Sequence, residues 1–216
     1  MIRPIAVSLL LLVATPALAL DDADYSDAVA ATAKSTIIPS YQAFGETAKE
    51  MQTLLEALYK PPADNTSQAA QQRFAALATA WARIQYISFG PIFEHQRAFR
   101  IEYWPDKRNV VGRQLAEVLK KLEHAALEPE RFATTTVGVQ GLPALERMLF
   151  DDDALVALAS GDGDFRCRLF AAISSNLEII ARDVVSGWTE GDNAFLVRID
   201  HPSESRAELT RERCAA

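Results

Sequence analysis

Residues 165–188 read FRCRLFAAISSNLEIIARDVVSGW. Apolar side chains recur at Phe165, Leu169, Ala172, Ile173, Leu177, Ile180 and Val184, at spacings that are mostly three and four. That period places them along one face of an α-helix, the pattern of a helix with one buried stripe. Gly161-Asp162-Gly163-Asp164 precedes the run, and Trp188 and Gly191 mark its end.

The same period extends outward from this segment. From Tyr25, the apolar positions Val29, Ala33, Ile37, Tyr41, Phe44, Ala48, Met51, Leu55 and Leu58 predict a long helix. Pro39 lies inside it, so a kink or break is expected just before that residue. Lys60-Pro61-Pro62-Ala63-Asp64-Asn65 reads as a loop, and Thr66 or Ser67 as the cap of the next helix. Phe74, Leu77, Trp81, Ile84 and Ser88 share a face of that helix, which Gly90-Pro91 stops. Residues 89–111 have no clean period. A further helix is expected from about Val110 to Ala126, closed by Pro129, and a short one opens at Pro143. Strand alternation is confined to Ala194–Ile199. The expected fold class is all-α, an antiparallel helical bundle.

The N-terminus reads as a targeting segment. Arg3 supplies a positive start, Ile5 to Val13 an apolar core, and Ala17-Leu18-Ala19 a small-residue cleavage site. The run is too short to span a bilayer, and Asp21-Asp22 follow at once. The expected organisation is a signal peptide over 1–19, a helical domain over 20–200 and a polar tail over 201–216. No transmembrane segment is expected after signal removal. The mature protein is expected to be periplasmic or in the cell envelope. The 216 residues are 49% hydrophobic and 24% charged, which excludes a disordered chain. A net charge of −7 argues against a nucleic-acid partner, because phosphate binding needs clustered Lys and Arg. Cys167 and Cys214 are the only cysteines. An oxidising compartment permits a disulfide between them, and the helical setting of Cys167 equally permits a plain buried residue.

Motifs of known chemistry are few. There is no Ser elbow, no phosphate-binding glycine loop and no His-Glu-x-x-His. With three histidines, His95, His124 and His201, a His-rich metal site is not expected. The run Arg100-Ile101-Glu102-Tyr103-Trp104-Pro105-Asp106 spaces two carboxylates by four. It reads either as an acidic metal or ligand site or as a loop held by aromatic burial and an Arg–carboxylate pair. Glu146 reads either as an interior site residue or as a carboxylate favoured near a helix N-terminus. Asp151-Asp152-Asp153 lacks the alternating spacing of a calcium loop and reads as a solvated helix start.

Three segments in order give these residues a context. WARIQYISFGPI spans Trp81–Ile92, RIEYWPD spans Arg100–Asp106, and VGVQGLPALERMLF spans Val137–Phe150; the Arg166-Cys167 helix follows. Together they resemble the imelysin family over about residues 25–190. The resemblance implies a helical-bundle protein of the cell envelope, either linked to iron uptake or acting as a metallopeptidase, with the hallmark Gly-x-His-x-x-Glu. Here that motif runs Gly141-Leu142-Pro143-Ala144-Leu145-Glu146. Gly141 and Glu146 match, but Pro143 stands where the family has His, and a proline offers no side-chain lone pair to a metal. Family members continue into a further helical half, so a C-terminally shortened variant is expected.

The resemblance implies a binding set of Gly141, Glu146, Arg100, Glu102 and Asp106, with Glu146 as the candidate ligand of a divalent metal, and no catalytic residue is assigned. Arg100–Asp106 is expected to pack beside the helix that opens near Pro143, with Arg100, Glu102 or Asp106 close to Glu146. The expected function is that of a ligand-binding or accessory protein linked to iron uptake, its partner an unknown small ligand or envelope protein. The alternative is an imelysin-type metallopeptidase.

Overall fold

The computed structural model describes residues 22–57, 66–152, 154 and 161–200. The segment expected to be a signal peptide, residues 60–65 expected to form a loop, Asp153, and residues 201–216 with His201 and Cys214 lie outside them. All regular structure among the described residues is helical. In chain order the helices are α1 (Asp22–Thr32), α2 (Ile38–Ala57), α3 (Thr66–Ala82), α4 (Arg97–Ile101), α5 (Val110–Lys121), α6 (Pro129–Phe132), α7 (Leu142–Phe150), α8 (Gly163–Thr189) and α9 (Phe195–Asp200). None of them is long and apolar enough to cross a membrane.

The centre of the molecule is α2 lying along α8. At 27 residues, α8 is about 40 Å long at 1.5 Å per residue. Its stripe Phe165, Leu169, Ile173, Leu177, Ile180 and Val184 is buried throughout, as the period requires. Tyr41, Phe44, Ala48 and Met51 face it from α2 and are fully buried. The two backbones approach closely where both side chains are small: a Cβ on Gly45 would stand 3.2 Å from that of Ala181. Helix α3 packs on α2, where Phe44 meets Trp81 with ring centroids 5.6 Å apart, and α7 packs on α3.

Pro39 does not break the chain. Residues Ala33–Ile37 form one π-turn, in which the Ile38 N–H reaches back five residues to the Ala33 carbonyl. A proline in an α-helix lacks a donor and crowds the carbonyl four residues earlier. Widening the preceding turn meets both demands, and α2 continues beyond it.

Other expectations shift more. The helix expected from Val110 to Ala126 ends at Lys121, with Leu122 in the left-handed region and a 3-10 turn over His124–Leu127. Pro129 then opens α6, its missing donor costing nothing at a helix start. Ala194–Ile199 is not a strand, because Phe195–Asp200 are helical. Phe195 and Phe89 close over Trp188, whose ring is 4.8 Å from that of Phe195 and 5.9 Å from that of Phe89. Gly90, at φ +75°, turns the chain beside that indole, and a Cβ there would come within 3.1 Å of it.

Candidate functional site

Gly141 fixes the geometry around the hallmark motif. It caps the N-terminus of α7 in an extended conformation. A Cβ at this position would lie 2.1 Å from the Ile101 carbonyl oxygen and 2.4 Å from that of Arg100. Only a glycine permits this approach, so the end of α4 and the start of α7 touch backbone to backbone. The expected packing of Arg100–Asp106 beside α7 is therefore present. Arg147 reinforces it by donating to the Asn109 side chain at 2.8 Å.

Arg100 sits at this crossing, half-buried. Its Nε–H donates to Gln140 Oε1 at 2.7 Å and an Nη2–H to Asn176 Oδ1 at 3.0 Å. The Asn176 amide donates in turn to the Gln140 carbonyl at 2.9 Å, and the Gln140 amide to the Thr135 carbonyl at 2.6 Å. Gln140 and Asn176 are both buried. The guanidinium is thus held by neutral oxygens, and no carboxylate of a described residue lies within ion-pair distance of it. Burial lowers its pKa, the positive charge of Arg97 adds to the effect, and Asp183 partly offsets both. Arg97, one turn earlier, is buried and donates to the Pro91 carbonyl at 2.7 Å and to Glu94 at 3.1 Å.

The acidic residues of the set have other partners. Glu102 accepts the Trp81 indole N–H at 2.6 Å. Asp106 accepts the Val110 N–H at 2.6 Å on one oxygen and the Val111 N–H at 3.0 Å on the other, capping α5. Glu146 is exposed on α7, and neither Arg100, Glu102 nor Asp106 bonds to it. His95 is exposed, and His124 stands edge-on to Phe165 with centroids 5.2 Å apart. No group of three or more His, Cys, Asp or Glu forms a metal-binding cluster among the described residues.

The donor set around Pro143 therefore does not fit a hydrolytic metal. Such a metal needs three protein ligands and an open position for water. Glu146 is the one motif residue here with a free donor, while Glu102 and Asp106 are engaged by an indole and by helix N–H groups.

Gln140 lies inside the Val137–Phe150 segment without being singled out there, and Asn176 lies outside every motif. Asn176 carries a signal of its own, since it interrupts the apolar stripe of α8 between Ile173 and Ile180, where a polar side chain must find a partner. A small recess lined by Leu127, Phe132, Ala172, Ser175 and Asn176 adjoins this network, with room for no more than about one water molecule.

The family model described as "Peptidase_M75: Imelysin" matches residues 37–211. An imelysin-like protein from Psychrobacter arcticum 273-4, known from its crystal structure, superposes with a TM-score of 0.71 at 24% identity. The match covers 88% of this chain and 57% of that one, so this chain spans little more than half of that relative's length. At that identity the likeness establishes the fold alone. No curated protein matches the chain. The helical architecture and the family match over residues 37–211 place the chain in the imelysin family.

Proposed function

We propose that this imelysin-family chain is an exported ligand-binding or accessory protein of the cell envelope, and that Arg100 meets an anionic group of its ligand. The observation that carries this reading is the half-buried guanidinium held by Gln140 and Asn176, with no carboxylate of a described residue within ion-pair distance and Asp183 acting on it only from further off. Two neutral oxygens orient the side chain and leave its charge to be met from outside the network. A carboxylate or phosphate oxygen suits that role, because a guanidinium offers such groups a planar fork of donors. Export rests on the leader-like N-terminus, and the link to iron uptake rests on the family resemblance.

The competing reading, a metallopeptidase, draws support from Gly141 and Glu146 of the hallmark. Pro143 and the engaged carboxylates weigh against it.

The test is a thermal-shift titration of the mature protein with citrate and with inorganic phosphate. The expected result is a salt-sensitive rise in Tm that is absent in Arg100→Gln and reduced in Arg100→Lys, which keeps the charge and loses the fork. An equal rise in wild type and both variants would remove Arg100 from the ligand site.

A further inference from the structure

We propose that the loop Trp104–Arg108 is an anchor for an anionic lipid surface. The loop leaves α4 after Ile101 and enters α5 at Val110. Its one carboxylate, Asp106, is consumed by the two N–H groups at the start of α5. That cap fixes the loop and leaves Trp104, Pro105, Lys107 and Arg108 exposed, Trp104 at 73%. Phe99, also exposed, stands 6.5 Å from the ring of Tyr103, the neighbour of Trp104.

Charge separates this region from the rest of the chain. Residues 83–113 hold six Lys and Arg against three Asp and Glu, in a chain of net charge −7; of the six, Arg97 is buried and Arg100 half-buried, and neither is part of this surface. All three acids are engaged: Glu94 with Arg97, Glu102 with Trp81 and Asp106 with α5. Neither Lys107 nor Arg108 forms an ion pair with a described residue. Arg147, which touches the loop through Asn109, is paired with Asp151 and adds no net charge.

An exposed indole flanked by two cations is the chemistry of an interfacial anchor. The ring enters the headgroup layer and the cations take phosphate oxygens. Four of the five residues of this loop are exposed. Such a loop can enter a planar surface, whereas a bound peptide needs a groove to lie in. The acidic remainder of the molecule would be repelled by the same surface and so would orient this loop toward it. The proposal is independent of the reading of Arg100, which is no part of the loop.

The experiment is co-sedimentation of the processed protein, without residues 1–19, with two kinds of vesicle. One is phosphatidylglycerol and phosphatidylcholine in equal parts, the other phosphatidylcholine alone. The expected result is binding to the first only, lost at high salt and weakened about fivefold for each cation removed in Lys107→Ser and Arg108→Ser. Trp81 and Trp188 are buried, so a blue shift of tryptophan emission on binding should come from Trp104 and vanish in Trp104→Phe. Circular dichroism confirms that each variant remains folded. Failure of the folded wild type to bind anionic vesicles at low salt would overturn the proposal, as would equal binding by Lys107→Ser/Arg108→Ser. Loop-dependent binding to poly-glutamate without vesicle binding would overturn it in favour of an acidic protein partner.

Discussion

Tyr41 shows how much one residue can be asked to bear. Its ring is fully buried on α2, and its hydroxyl has no hydrogen-bond partner among the described residues. The side chain contributes packing while the unpaired hydroxyl costs about 1–3 kcal/mol of desolvation. Tyr41→Phe should therefore stabilise the protein, by about 1 kcal/mol, as measured by urea unfolding at neutral pH. Burial also pushes the phenol pKa well above its ordinary value of 10.0. The folded state then holds a proton that the unfolded chain releases, so stability is full below pH 10 and falls as pH rises beyond it. That alkaline loss should be smaller in Tyr41→Phe. A less stable variant would mean that the hydroxyl has a partner, and an unchanged alkaline limb would mean that burial does not raise its pKa. The sequence shows Tyr41 as a core position through its spacing from Ile37 and Phe44; it cannot show where the hydroxyl points.

At the scale of elements, the helices were readable wherever a period ran for several turns, and poorly readable elsewhere. The stripes of α2 and α8 follow from spacing alone. Residues 89–111 have no period because α4 is only five residues long and the flanking chain is held by individual contacts, such as Trp81 to Glu102 and Asp106 to α5. Pro39 was readable as a disturbance, but not as a π-turn, since that outcome depends on α2 remaining packed on α8. The hallmark glycine has its explanation at this scale, in the crossing of α4 and α7. Gly141→Ala would drive a methyl group into two carbonyl oxygens that belong to backbone and cannot swing aside. It should cost about 3 kcal/mol or more, in line with other severe overpacking. Gly161→Ala, with nothing within 4 Å of the added methyl, should change stability by less than about 1 kcal/mol. Thermal unfolding of both variants checks the contrast, and equal losses would contradict it.

For the whole molecule, family and fold were legible in the ordered motifs, and the site was legible only in part. Gly141 and Arg100 meet at the helix crossing, as their place in those motifs implied. Their companions Gln140 and Asn176 come from the preceding turn and from the middle of α8, and only the folded chain brings them together. Glu102 and Asp106 look like ligands in a string of letters because two carboxylates are spaced by four. In the fold the chain between them is not helical, and each carboxylate serves a different neighbour. In this chain the region of the imelysin hallmark is a packing junction beside a cation, and its described residues do not supply the three ligands that a hydrolytic zinc needs. The most direct measurement is cleavage of insulin B chain by the mature protein with added zinc and with chelator, in wild type and in Glu146→Gln. The expected result is no zinc-dependent turnover in either protein. Zinc-dependent cleavage by the wild type that disappears in Glu146→Gln would contradict the claim and make Glu146 a working metal ligand.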